Sequence, residues 1–152
     1  MRCNVGINPS YLPDQMIIAE YRELVMVIGS LKHWNWEIKS PIPKTFNLGI
    51  GHMNFLKNKL RYLQRRHQEV KMEMRRRSFY CNTLEIILDN IPPQFCNDWN
   101  PTIDDSKKIR ERIQFKLINK SPYFWRLNGN RLDELGMYHM MRQIQNSELF
   151  YV

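Results

Sequence analysis

The sequence lacks long hydrophobic runs and regularly spaced cysteines. No stretch of about 18 apolar residues occurs, so no transmembrane helix is predicted. The three cysteines, Cys3, Cys81 and Cys96, are odd in number and far apart, and they form neither a CxxC zinc pair nor a disulfide framework. The first residues also lack the charged and apolar parts of a secretion signal. We therefore expect a cytoplasmic, intracellular protein without membrane contact.

Signatures of several enzyme classes are absent as well. The sequence contains no P-loop, no GxGxxG and no HExxH motif. The four histidines, at positions 33, 52, 67 and 139, do not have the spacing of metal ligands, and no carboxylate pair of the two-metal nuclease type is present. We therefore predict no metal site. An enzyme of this sequence that acted on DNA would need amine or carboxylate chemistry.

What the sequence does have is an excess of positive charge, with 23 Lys and Arg against 15 Asp and Glu and a formal net charge of +8. Residues 57–77 contain nine basic and two acidic side chains, and residues 107–131 contain eight basic and one acidic. A solvated helix face usually mixes the two signs, so these one-sided clusters favour a surface that binds a phosphate backbone. The alternative is a basic soluble surface without that role.

The spacing of apolar residues predicts an all-α protein. Its single compact domain, residues 1–152, would have three main helices with long irregular links and a C-terminal helical extension over about 131–152. The predicted helices cover 13–29, 51–77, 102–119 and 132–145. The second would be a rod of about 40 Å. Thr102 or Asp104 would cap the third, Asn128-Gly129 would form a turn, and residues 83–91 could be a short helix or a strand.

Glu23 occupies an unusual position on the first predicted helix. On a helical wheel it points away from the core-facing stripe that contains Tyr21, and its outward neighbours include Met16, Met26 and Val27. A carboxylate surrounded by apolar groups and covered from water could exchange protons near neutral pH. Alternatively, the helix is buried on both sides and Glu23 pairs with an arginine.

Three basic residues, His52, Lys59 and Arg66, are spaced seven apart along the edge of the second predicted helix. Buried basic groups need partners, which Glu20 or Glu23 could supply across a helix contact. Alternatively, the three side chains line a groove that phosphates enter. The sequence is compatible with both arrangements.

Four sequence blocks occur in an order that is typical of one enzyme family. They are DQ and AEYREL within 14–24, TFxLGxGH at 45–52, DxIPxQF at 89–95 and RxxxK at 112–116. Together they resemble the phage-type pyrimidine-dimer DNA glycosylase and abasic-site lyase family, often called endonuclease V. The resemblance spans about residues 1 to 130.

The resemblance implies a compact all-α enzyme that acts as a monomer on damaged double-stranded DNA, without a metal or an organic cofactor. In this family the N-terminal α-amine attacks C1′ of the damaged nucleotide, expels the base and forms a Schiff base. Strand cleavage by β-elimination follows. The matching catalytic residues here are Met1, which provides the amine, and Glu23, which assists.

The resemblance also assigns DNA binding to residues of this chain: Arg2, Asn4, Arg22, Arg112, Lys116 and Arg126. Arg22 would bind a phosphate beside the lesion. Arg112 and Lys116, four apart on one helix face, would grip the backbone. Extrusion of a nucleotide from the duplex is the expected route to the sugar.

The sequence departs from the family pattern at several positions. The family archetype begins with threonine after its methionine is removed, whereas Arg2 is expected to prevent that removal, so we predict that the amine of Met1 is the nucleophile. A histidine and an arginine of the archetype's first helix are Met16 and Met26 here. Trp34, in a segment without a family counterpart, would be a core residue or a wedge between bases.

These departures keep other functions open. A non-catalytic double-stranded DNA-binding protein on the same scaffold is one, and a glycosylase for a different damaged base is another. A basic protein that binds an acidic protein partner is a third. Trp36 shares the two interpretations given for Trp34, either as part of the core or as a wedge against bases.

Overall fold

The computed structural model, which describes residues 2–82 and 84–150, is mostly helical and confirms the all-α class. Its helices are α1 (Asp14–Leu24), α2 (Met26–His33), α3 (Ile50–Leu56), α4 (Leu60–Arg76), α5 (Ile103–Ile118) and α6 (Glu134–Gln145). A short antiparallel hairpin joins β1 (Arg126–Leu127) to β2 (Asn130–Arg131). Single 3-10 turns lie at Pro9–Tyr11, Pro93–Phe95 and Pro122–Phe124. No described helix combines the length and apolar character needed to cross a membrane.

The first predicted helix, from 13 to about 29 or a little beyond, is wrong in its continuity. The structure interrupts it at Val25, and α2 then continues to His33. Met16 and Val27, predicted to face outward beside Glu23, are both buried, whereas Met26 is exposed. The helical wheel assumed one continuous helix, whereas the break at Val25 places Val27 on a separate helix, α2. Other parts of the chain cover Met16 and Val27, which the wheel had assigned to the outward face.

The second predicted helix, 51–77, is also divided. Lys59 leaves the helical conformation (φ −126°, ψ 44°) and its backbone forms an isolated bridge with Cys96. Its ammonium group donates to the carbonyl oxygen of Phe55, at the end of α3. The 17 residues of α4 therefore span about 25 Å, not 40 Å. His52 and Arg66 do not share a helix edge with Lys59.

The prediction of a helix or a strand over 83–91 is wrong for the residues that the structure describes, since Thr83 lies outside them. The segment runs beside α4 without regular structure. Gln64 donates to the backbone carbonyl of Ile86 (2.9 Å), and Lys71 pairs with Glu85 (2.6 Å). The described part of the segment is therefore held by side chains of α4 and not by backbone hydrogen bonds to a neighbouring strand.

Several local predictions are confirmed. Thr102, not Asp104, caps α5 in a capping box with Asp105, in which each side chain accepts from the other residue's backbone N–H. The Asn128-Gly129 pair forms the hairpin turn, with both residues at positive φ. The last helix ends at Gln145 as expected.

The two tryptophans of the segment after α2 have different environments. Trp36 packs on Phe95, with ring centroids 5.4 Å apart, in agreement with the core interpretation. Trp34 is 46% exposed, so for this residue the core interpretation is wrong. The ammonium group of Lys39 lies 5.1 Å from its ring.

The contact between α1 and α4 contains two buried ion pairs. Arg66 donates through Nε to Oε1 of Glu20 (2.8 Å) and through a terminal nitrogen to Oε2 (3.2 Å). Arg77 donates to Oδ1 of Asp14 (2.7 Å) and also bonds Glu73. Of the two partners predicted for Arg66, Glu20 is the one observed. Since removing one member of a buried pair leaves the other uncompensated, these pairs fix how α1 sits on α4.

His52 makes stability depend on pH. It is buried (2% exposed), and burial, reinforced by the charge of Arg112, lowers its pKa to about 4. The unfolded chain takes up this proton near pH 6.5 but the folded chain only near pH 4, so stability is lost as pH falls between these values. In urea titrations, we expect His52→Phe to reduce by roughly 2–3 kcal/mol the loss in free energy of unfolding between pH 6.5 and pH 4.

The exposed His139 is the matched control for this prediction. His139→Phe is expected to keep the wild-type slope of stability against pH. An unchanged slope in His52→Phe would contradict the assignment.

Candidate nucleic-acid interface

In the N-terminal segment, residues 2–8, the residues from Cys3 to Ile7 are buried. Asn4 donates through its backbone N–H (2.9 Å) and its side-chain amide (2.8 Å) to the carboxylate of Glu20. Arg66 donates to the carbonyl oxygen of Ile7 (2.7 Å). The buried Glu20–Arg66 pair therefore fixes this segment as well as the two helices. Met1, the predicted nucleophile, lies outside the described residues.

Two buried groups in this region have strongly shifted acidities. Burial disfavours the charged form of Glu20, but the charge and hydrogen bonds of Arg66, together with those of Asn4, hold its pKa below the usual value. Burial and the nearby Glu20 raise the pKa of the Cys3 thiol. Glu20 is thus a permanent structural anion, and Cys3 is not a thiolate nucleophile.

Arg2 and Glu23 meet at the point where the N-terminal segment reaches the surface. A terminal nitrogen of Arg2 lies 3.1 Å from Oε1 of Glu23, and the two side chains are 44% and 24% exposed. Glu23 follows Glu20 by one helical turn, and Arg2 precedes Asn4 by two residues. The buried contact of Asn4 with Glu20 therefore fixes the position of the more exposed contact of Arg2 with Glu23. Of the alternatives given for Glu23, the pairing with an arginine is observed, although the side chain is partly exposed and not buried.

Two cations of α5 lie around this pair. Arg112 donates to Oδ1 of Asn4 (3.1 Å). Burial and the positive charges of Arg112 and Arg2 lower the pKa of Lys116, while Glu23 opposes this shift. Burial and the charge of Arg2 likewise lower the pKa of Arg112. These mutual effects describe a cationic cluster around Glu23, which favours an anionic ligand.

A cleft of about 340 Å³ opens beside this cluster. It is lined by Arg2, Gln15, Met16, Lys116, Asn119, Lys120, Phe124 and Trp125. Its floor is apolar and its rim carries three cations. Gln15 fixes one wall, because its side chain donates to the carbonyl oxygen of Phe124 (2.5 Å) and accepts from the backbone N–H of Arg126 (3.1 Å).

The other predicted DNA-binding residues have different surroundings. Arg126 is exposed at the edge of this cleft. Arg22 is exposed on α1 but lines a second cleft, of about 330 Å³, with Tyr21 and Tyr80. Asn4 is buried, with its amide between Glu20 and the guanidinium of Arg112. Its polar atoms position the site, and DNA contact by each of these residues remains a prediction.

Sequence reasoning did not assign roles to several cleft residues. Gln15 was present in the first quoted block, and that is the signal that could have identified it. Phe124 and Trp125 gave no such signal, because an aromatic run is equally typical of a core. Within the described ranges, no cluster of three or more His, Cys, Asp or Glu side chains is arranged to hold a metal ion.

A comparison with protein families gives an independent result. The family model described as pyrimidine dimer DNA glycosylase matches residues 2–87, more than half of the chain. The match covers the N-terminal segment and α1 to α4, and so includes Arg2, Glu20 and Glu23. It ends before α5, which carries Arg112 and Lys116.

The two glutamates of α1 are expected to differ in their effect on stability. Glu20→Gln leaves the buried Arg66 with Glu69 (3.2 Å) as its remaining acidic partner and should cost about 3 kcal/mol or more in urea unfolding. Glu23→Gln removes a partly exposed pair and should cost less than about 1 kcal/mol. Equal losses would contradict the division between a structural and a site carboxylate.

Proposed function

Because this chain belongs to the pyrimidine dimer DNA glycosylase family, we propose that it removes the damaged base of a pyrimidine dimer and then cuts the DNA strand as an abasic-site lyase. The observation that carries the proposal is the contact between Arg2 and Glu23. It brings the second residue of the chain to a carboxylate within a cationic cluster. The covalent chemistry is assigned to the α-amine of Met1.

An α-amine suits this chemistry at neutral pH. Its ordinary pKa is about 7.7–8.0, so an appreciable fraction is uncharged, and neighbouring cations increase that fraction. In the proposed reaction the neutral amine attacks C1′, the glycosidic C–N bond breaks, and the base leaves with the electron pair and takes up a proton. Opening of the sugar ring at O4′ then gives the Schiff base between the nitrogen and C1′.

Strand cleavage needs a group that accepts a proton. Loss of a proton from C2′ of the Schiff base expels the 3′-phosphate and completes β-elimination. Glu23 is the partly exposed carboxylate that Arg2 contacts, and we assign it the transfer of protons in these steps. No step requires a metal.

The cations beside Glu23 suit a phosphate backbone. Arg2, Arg112 and Lys116 surround the reaction centre, and Arg22 and Arg126 are exposed on either side. The adjacent cleft, with its apolar floor, would receive the extruded nucleotide, since stacking on aromatic side chains is favourable for any base. Phosphate contacts position the duplex, whereas the cleft would contact the base.

One observation favours a second candidate, a duplex-binding protein without chemistry. Met26, where the archetype has a polar residue, is 56% exposed and provides no charge near the site. The two candidates agree on DNA binding and differ only in covalent chemistry. Experiments that detect the covalent intermediate therefore decide between them.

We expect the protein to form a covalent complex with an abasic duplex under borohydride, in the presence of a chelator. Reduction of the Schiff base makes the bond permanent, and mass spectrometry of the digested adduct should locate it on the amine of Met1. Protein acetylated at its N-terminus is the control and should not be trapped. Absence of an adduct supports the non-catalytic candidate, and an adduct on a lysine side chain contradicts the assignment to the α-amine.

Glu23→Gln is expected to slow cleavage of the glycosidic bond in a cyclobutane-dimer duplex by roughly 10²-fold or more, because a positioned proton-transfer group is lost. Duplex affinity should be equal or higher, since a charge that repels phosphate is removed. Single-turnover rates and Kd measured at one salt concentration separate these effects. Glu111→Gln, an exposed change on α5, should behave as wild type, and a parallel loss of affinity in Glu23→Gln would contradict the catalytic role.

A further inference from the structure

The last described residues of the chain return to the N-terminal segment. The backbone N–H of Phe150 donates to the carbonyl oxygen of Gly6 (3.0 Å). Gly6 has a positive φ of 71°, and a Cβ built on it would lie 2.6 Å from Cδ1 of Leu149 and 2.9 Å from Cβ of Ser106. The backbone at Gly6 is therefore enclosed by the tail, residues 146–150, on one side and by α5 on the other.

The tail is also anchored to α5. Arg110 donates to the carbonyl oxygen of Ser147 (2.7 Å). Arg112 in turn donates to Asn4 (3.1 Å). α5 therefore holds the tail through one arginine and the N-terminal segment through another, and the bond to Gly6 closes the ring.

From this closed ring we infer that the tail is a positioning element for the reaction centre, acting through Leu149 and Phe150 on Gly6. Gly6 is four residues from Arg2 in the same buried segment, which has no regular secondary structure of its own. Without the tail, this segment keeps the contacts of Asn4 and Ile7 but loses the contacts that Leu149 and Phe150 make with Gly6, which lies between them. We expect the part of the segment that leads to Arg2 then to move more freely relative to Glu23. The inference rests on the proposed function only for its effect on rate.

The expected consequence is a loss of rate without a loss of binding. Three of the cations proposed to bind phosphates, Arg22, Arg112 and Lys116, lie on α1 and α5, which the tail does not form. Positioning of reacting groups is sensitive to displacement, and about 1 Å is enough to lower a rate up to about 10²-fold. We expect removal of the tail to reduce the single-turnover rate about tenfold, with duplex Kd within about twofold of wild type.

The test uses a chain that ends at Asn146, which keeps α6, together with the full-length variant Leu149→Ala. Leu135→Ala is the matched control, because Leu135 is an exposed leucine of α6 (63% exposed). Trapping rates are measured at saturating abasic duplex, and Leu149→Met should restore the rate that Leu149→Ala loses. Backbone hydrogen exchange of residues 2–8 and of α4 is measured on the same proteins without DNA.

Faster exchange in residues 2–8 but not in α4, together with slower trapping at unchanged Kd, supports the inference. Unchanged exchange in residues 2–8 overturns it. Equal acceleration in α4, with a parallel fall in affinity, also overturns it, because the tail would then support the whole core. A wild-type protein that is never trapped overturns the proposed function, and the exchange pattern still shows whether the tail orders the segment.

Discussion

The buried ion pair between Glu20 and Arg66 is the constraint on which the rest of the structure depends. It joins α1 to α4, and the two Glu20 oxygens also accept hydrogen bonds from Asn4, while a further nitrogen of Arg66, Nη1, donates to the carbonyl oxygen of Ile7. A buried pair of this kind contributes little net stability, because desolvation offsets much of the attraction. Its effect here is specificity. It admits one register of the segment on α1, and Arg2 reaches Glu23 in that register.

Glu20 and Glu23 are one helical turn apart on α1, but their surroundings give them different roles. Glu20 is buried and fully bonded, so it stays ionised and does not exchange protons during a reaction. Glu23, one turn later, is partly exposed among cations. A cationic surface attracts a phosphate backbone but also repels itself: burial is the main cause of the lowered pKa of Lys116, and the charges of Arg112 and Arg2 lower it further. Bound phosphates would reduce the repulsion among these cations, which favours DNA binding at this surface.

Short sequence patterns predicted correctly those elements that begin or turn at a characteristic residue. A cap at Thr102 predicted the start of α5, and Asn128-Gly129 predicted a turn, although not the two short strands that flank it. The breaks at Val25 and Lys59 were missed because no proline or glycine marks them, and long-range packing imposes them. In the site, the resemblance assigned roles to Arg2, Glu23 and the α5 cations, which lie together in the structure and whose roles stay predictions. It also assigned Asn4 to DNA binding, although the structure buries that side chain. The cleft wall and the tail contact depend on chain distant in sequence, and no local pattern predicts them.

The central claim is that the start of the chain, Glu23 and the α5 cations form a single reaction centre. A crystal structure of the borohydride-reduced complex with an abasic duplex tests it most directly. The account predicts a bond from the N-terminal nitrogen to C1′, the Glu23 carboxylate beside the opened sugar, and the flanking phosphates on Arg112 and Lys116. A duplex that lies instead along the exposed side of α4, with the sugar remote from Glu23, would contradict it.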